Sequence, residues 1–151
     1  MTKMRSWLVL FSVIGLFSCD GNRLYEDFQP VADQSWAQTD TVTFDLSTLK
    51  NEGTEHLLGL RFTDEYPFTN AYMKFIGKDS LGQVIQEQLV NVILFDPKSG
   101  KPLGKGFGNT HTTYDTLQFR PEAEIKTIHV LQYMREKELE GVEAIGYKVL
   151  K

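Results

Sequence analysis

The segment TVTFDLSTL, residues 41–49, alternates apolar and polar side chains with a period of two. Val42, Phe44 and Leu46 fall on one face, and Thr43, Asp45 and Ser47 fall on the other. That period marks a strand with one buried face and is incompatible with the 3.6-residue stripe of an amphipathic helix. HLLGLRFT (56–63), AYMKFIG (71–77), TTYDTLQF (112–119), EIKTIHVLQYM (124–134) and EAIGYKVL (143–150) read as further strands. VIQEQLVNVILF (84–95) is long enough for one bent strand or two. Between them lie the turn and loop segments NEGTE, DEYPFTN, KDSLGQ, DPKSGKP, LGKGFGN and REKELEG. In the second of these, Pro67 cannot donate to a ladder and restricts Tyr66 to extended geometry. Outside the first residues no stretch carries a helical stripe. Seven to eight short strands with turn signals predict an all-β fold: a single antiparallel β-sandwich, jelly-roll or Ig-like, over residues 40–151. The chain has 151 residues, 41% of them hydrophobic, which suits one domain with a real core and excludes intrinsic disorder.

The N-terminus follows different rules. Lys3 and Arg5 precede eleven residues, Trp7 to Phe17, that are apolar apart from Ser12 and the neutral Gly15. A membrane-spanning helix needs about 20 such residues, so this run reads as the core of a secretory signal, residues 1–18. Leu16-Phe17-Ser18-Cys19 resembles a bacterial lipobox, with Leu16 and the small Ser18 ahead of the cysteine and Phe17 bulkier than usual. A lipobox implies a diacylglyceryl thioether on Cys19, cleavage before it, and acylation (palmitate-type chains) of the new amino terminus. More than one chain at about 0.8 kcal/mol per buried CH₂ gives stable anchoring.

The other roles of a lone thiol fit less well. Cys19 is the single cysteine, so no intramolecular disulfide can form. A nucleophile needs a structured pocket with a base, and a metal needs several ligands; neither is near Cys19. Residues 19–39 are then expected as a lipidated tether whose aromatics, Tyr25, Phe28 and Trp36, tuck against the domain. Removing residues 1–18 takes Lys3 and Arg5 from the 16 Lys+Arg, which leaves 14 against 20 Asp+Glu and a net charge of −6 over 133 residues. Anionic headgroups would repel such a chain, so lipid rather than a polybasic patch is expected to hold it.

The same charge balance, with no basic cluster, excludes nucleic acid as an expected partner. His56, His111 and His129 are far apart and in no metal-ligand spacing, so no metal site is expected, and His129 reads as a surface or sheet-edge residue. GKPLGKGFG, Gly100 to Gly108, fails the phosphate-loop pattern at Lys105 and the dinucleotide pattern at Asn109; its glycines fit a bulge or tight bend. Ser35, Ser47, Ser80 and Ser99 lack an evident His partner, and Glu122, Glu124, Glu136, Glu138 and Glu140 read as a solvated loop. Neither an enzyme activity nor a small-molecule substrate is expected, and no cofactor beyond covalent lipid on Cys19. A glycan-binding β-sandwich lipoprotein is the alternative, and it would require Trp36, Tyr66, Phe68 or Tyr72 to form an exposed platform.

Taken in order, several segments resemble the gliding motility lipoprotein GldH family of the Bacteroidetes. They are CDGN with Tyr25 and Phe28 after the lipobox, Trp36 before the first strand, YPFTN (66–70), LGKG (103–106), QYMR (132–135) and LEGVEAIG (139–146). The resemblance covers almost the whole mature length. It implies a non-enzymatic envelope lipoprotein that supports gliding motility and the secretion machinery tied to it, with related lipoproteins as neighbours. It offers no catalytic residue, and its implied functional position is Cys19. Asp40-Thr41-Val42, Asp79-Ser80-Leu81 and Asp115-Thr116-Leu117 match the Asp-Ser/Thr-apolar pattern that Bacteroidetes use for O-glycosylation. Ser80, placed in a turn, ranks ahead of Thr41 and Thr116, whose β-propensity also explains them. No acidic run follows Cys19, which favours a periplasm-facing location with the choice of membrane open.

Overall fold

The alternating segments pair side by side, and every ladder is antiparallel. The computed structural model describes residues 21–49, 55–118 and 124–151. Its strands are β1 (Arg23–Pro30), β2 (Ser35–Ala37), β3 (Thr41–Asp45), β4 (Glu55–Thr63), β5 (Asn70–Lys78), β6 (Val84–Ile93), β7 (Lys105–Phe107), β8 (Thr110–Leu117), β9 (Thr127–Gln132), β10 (Glu138–Glu140) and β11 (Val142–Leu150). They form a five-stranded sheet in the order β1-β11-β4-β8-β7, a four-stranded sheet β3-β9-β5-β6, and the small pair β10-β2. The architecture is the expected all-β antiparallel sandwich, with eleven strands among the described residues. The surplus over seven or eight comes from β1 and from three-residue strands that have too few residues to display a period.

Alternation decides which side chains enter the core. On β4 the inward positions are His56, Leu58, Leu60 and Phe62, and their neighbours on β11 are Ile145, Tyr147 and Val149. The opposite sheet supplies Phe44, Ala71, Met73, Phe75, Val90, Val92, Ile128 and Val130. The two layers touch where Phe44 meets Tyr147 at 5.8 Å between ring centres. Each fully buried large apolar side chain adds roughly 1.5–3 kcal/mol of transfer free energy. His56 is tolerated in this setting because its Nδ1 bonds the Tyr147 hydroxyl at 2.6 Å.

The structure corrects some of these expectations and sharpens others. The stretch expected as a tether belongs to the fold from Arg23 onward, because β1 pairs with β11 from Arg23↔Leu150 to Pro30↔Ala144. Without it, the outer edge of β11 would present a row of open backbone donors and acceptors. As an edge strand β1 has no fully buried face, so its sequence shows no clean alternation. Trp36 is likewise core, 1% exposed, with its indole N–H donating to the Asp40 carbonyl at 3.1 Å. REKELEG, expected as a plain connection, contains β10, which lays Leu139 beside Trp36. His129 is on an interior strand flanked by β3 and β5 rather than at a sheet edge; its ring lies half-buried on the outward face and Nδ1 is 3.2 Å from the Thr43 hydroxyl. VIQEQLVNVILF resolves into the single strand β6.

The corner after β4 is tied down by its own backbone. Tyr66 is 4% exposed, packs edge-on against Phe62 and Phe68, and donates its hydroxyl to the Asn70 carbonyl at 3.0 Å. Burial pushes the Tyr66 phenol well above its ordinary value, so it stays a donor. Gly141, at φ +77°, lies against this corner so closely that a Cβ would sit 2.7 Å from the Tyr66 nitrogen. Only glycine accepts both the left-handed backbone and that approach.

Because Trp36 fills the space between the small β2–β10 pair and the main core, Trp36→Ala is expected to lower stability by about 3–5 kcal/mol. Urea denaturation should show this as a lower midpoint with an unchanged slope.

Candidate functional site

On the outer face of the five-stranded sheet, two glycines sit opposite each other in register, Gly146 on β11 and Gly59 on β4. Their outer neighbours are Phe28 on β1 and Tyr114 on β8. With no Cβ in the middle, the two rings lean inward over a trough. A Cβ on Gly146 would lie 2.4 Å from the Phe28 ring, and one on Gly59 would lie 2.9 Å from the Tyr114 ring. The rings meet edge to face, 6.1 Å between centres at 73°.

Charge is arranged around these rings. The Arg61 guanidinium stands 4.5 Å over the Phe28 ring, and its Nε donates to the Thr112 hydroxyl at 3.4 Å. The Lys148 ammonium stands 5.2 Å from the Tyr114 ring. Both are cation–π placements, which hold a cation beside an apolar surface. Glu26 accepts from the Tyr114 hydroxyl at 2.6 Å, lies 3.7 Å from Lys148 Nζ and pairs with Arg23. Partial burial pushes the Glu26 carboxyl up, but the Tyr114 and Arg23 hydrogen bonds and the Lys148 and Arg23 charges outweigh it, so the group is held below its ordinary value. Burial, aided by the Glu26 carboxylate, pushes the Tyr114 phenol up and keeps it protonated. With Lys105 on the far wall, these residues line an open groove of about 830 Å³ to which the described residues contribute four cations and one carboxylate. An anionic group is the chemistry such a lining accepts.

No sequence motif announced this site, because its residues come from β1, β4, β8 and β11 and converge only through pairing. The available signal was the single glycine inside each of two strand patterns, LLGLRF and AIGYKV, which marks a close approach to the backbone.

The positions expected from sequence fall elsewhere. Cys19 and the signal lie outside the described residues, as do the NEGT turn and Glu122. Ser80 is exposed in the turn between β5 and β6, where the Asp79 carboxylate accepts from the Leu81 and Gln83 amides, both at 2.9 Å. Thr41 opens β3 and Thr116 points outward from β8, and both are exposed. Trp36 and Tyr66 are buried, which removes most of the aromatic platform the glycan-binding alternative needs; Phe68 is half-buried and Tyr72 exposed. Tyr72 instead joins Leu89, Ile93 and Tyr133 as exposed apolar residues on the outer side of the four-stranded sheet. His111 pairs with Asp64 at 2.9 Å, far along the chain from His56 and His129 and brought to neither. Ser35 donates to Glu138 and Ser99 to Asp96, while Glu124, Glu136, Glu138 and Glu140 are exposed. Among the described residues no three His, Cys, Asp or Glu side chains gather as a metal site, and no helix is long and apolar enough to cross a membrane. Lys105 and its glycines form β7 and the hairpin into β8, a bend between strands.

The fold and the site together define an antiparallel β-sandwich with an open charged groove on one outer face and exposed apolar residues on the other. The chain belongs to the GldH lipoprotein family, whose model matches residues 23–149. It is 26% identical over 164 aligned residues to the gliding motility lipoprotein GldH of Flavobacterium johnsoniae, covering 99% of this chain and 98% of that protein. Among solved structures it overlaps dimeric latent PorU from Porphyromonas gingivalis with 10% identity and a TM-score of 0.36, too distant for an argument from fold; the overlap covers 86% of this chain and 13% of that one.

Two tests address the groove's construction. Gly146→Ala should destabilise the protein by about 1–3 kcal/mol by displacing Phe28, and most of that loss should vanish in a Phe28→Ala background, measured as a double-mutant cycle. Since Glu26 titrates below its ordinary value of 4.5, its contribution is complete above that pH and is lost as pH falls through the lower folded value. Unfolding free energy followed by urea titration should therefore drop on acidification below about 4.5, and Glu26→Gln should flatten that slope.

Proposed function

We propose that this chain is a membrane-anchored envelope lipoprotein that supports gliding motility and the associated secretion machinery through protein contacts and carries out no catalysis. The observation that carries the reading is the family match from Arg23 to Val149, which begins four residues after Cys19. Cys19 at the end of a short apolar run is the acylation site in this reading, and the folded module faces the periplasm. Its neighbours are other lipoproteins of the same apparatus. The exposed Tyr72, Leu89, Ile93 and Tyr133 support a contact role, since side chains of this kind are commonly buried by a partner. Ser80, Thr41 and Thr116 are proposed O-glycosylation sites, supported by their exposure.

Cells carrying the tagged protein or its Cys19→Ala form provide the test. The parent should incorporate labelled palmitate, partition with membranes and, after cross-linking in live cells, co-purify with motility and secretion lipoproteins. Cys19→Ala should lose the label and those companions, and gliding on agar should fail. A Cys19→Ala strain that stays labelled and glides normally would overturn the anchor and the function together.

A further inference from the structure

Resting on the anchor at Cys19, we propose that the outer face of the five-stranded sheet lies against the lipid surface and that its groove receives the phosphate of an anionic phospholipid headgroup. Four residues take the chain from Cys19 to Arg23, a reach of at most ~14 Å for extended backbone. Arg23 is both the first residue of β1 and part of the groove wall. Because β1 is bonded into the sheet rather than hanging free, the module cannot swing far from its lipid, and the groove stays near the headgroups.

The charges fit that position. The whole chain is acidic, at −4, yet this groove gathers Arg23, Arg61, Lys105 and Lys148 against Glu26 alone. Arg23, Lys148 and Tyr114 satisfy Glu26, while Arg61 and Lys105 form no ion pair among the described residues. Two cations are thereby left to meet an outside anion. Of the other carboxylates on this side, Glu143 accepts from Thr110 and Gln34, and Glu55 sits at the end of β4; neither lines the groove. The expectation of repulsion from net charge averages over a surface that segregates its charges.

A second, independent feature points the same way. Phe107 is 96% exposed near the tip of the β7–β8 hairpin, two residues beyond Lys105 and therefore on the same side of the strand. A bare aromatic ring beside a lysine is the pairing that seats a protein in the headgroup layer, ring among the acyl ends and cation at the phosphates.

The test uses the full mature chain, residues 19–151, with Cys19→Ser so that no lipid contributes. It should co-sediment with phosphatidylcholine vesicles containing phosphatidylglycerol, not with phosphatidylcholine alone, and less as salt rises. Lys105→Gln and Arg61→Gln should each weaken binding about fivefold, and Phe107→Ser should weaken it without changing the salt dependence. Lys105 and Phe107 are exposed at the surface, so their variants keep the fold if Arg61→Gln disturbs Phe28. Equal binding to both vesicles, or Lys105→Gln and Phe107→Ser variants that bind like the parent, would overturn the proposal. So would saturable binding of millimolar inorganic phosphate by a protein that shows no preference for the phosphatidylglycerol vesicles, which would assign the groove to a free phosphate. The anchor is read separately by palmitate labelling: vesicle selectivity without acylation removes the anchor and keeps the groove, and acylation without selectivity does the reverse.

Discussion

The β4–β11 ladder sets the register on which both the core and the groove depend. It pairs Leu60 with Ile145, Gly59 with Gly146 and Leu58 with Tyr147, so that inward positions meet inward positions along its length. The same pairing puts Arg61 and Lys148 on the outer side, one on each flank of the two glycines. Side chains alternate strictly, so a slip of β4 by one residue would send Leu58, Leu60 and Phe62 into water and bury Arg61. The hydrophobic penalty for that slip falls on several large side chains at once, and it is what keeps the groove's geometry in place. Core packing and surface chemistry are two faces of one register.

The groove is built by subtraction. Gly59 and Gly146 contribute nothing of their own, and their missing Cβ atoms let Phe28 and Tyr114 lie down over the sheet. The rings in turn give Arg61 and Lys148 an apolar floor to stand on. Glu26 joins Tyr114, Arg23 and Lys148 into one cluster at one end. Positive charge remains in excess there although the chain as a whole is negative. Net charge governs long-range behaviour, but within about a Debye length the local arrangement dominates.

Two segments that carried the family resemblance, YPFTN and LEGVEAIG, prove to be neighbours in space. Gly141 packs on the Tyr66 backbone, the Thr63 amide donates to the Gly141 carbonyl, and Gly146 lies under Phe28. Their residues serve the corner and the sheet. Tyr66, with its hydroxyl on the Asn70 carbonyl, closes the turn that sends β4 into β5 across the sandwich.

The sequence by itself determined the fold class and the main strands, because a period of two with β-branched and aromatic residues has one economical solution, a sheet with one face buried. It also located Cys19 at the close of a signal-like run, a purely local pattern. It did not reveal that residues 23–37 belong to the domain: an edge strand and a three-residue strand take their stability from partners distant in sequence, so their own patterns are weak. Nor did it separate Trp36 and Tyr66, which the core consumes, from Tyr72, which stays outside, since an aromatic side chain serves either setting. The groove belongs wholly to tertiary structure. Arg23, Glu26, Phe28, Arg61, Tyr114 and Lys148 span most of the chain, and only strand order brings them onto one face.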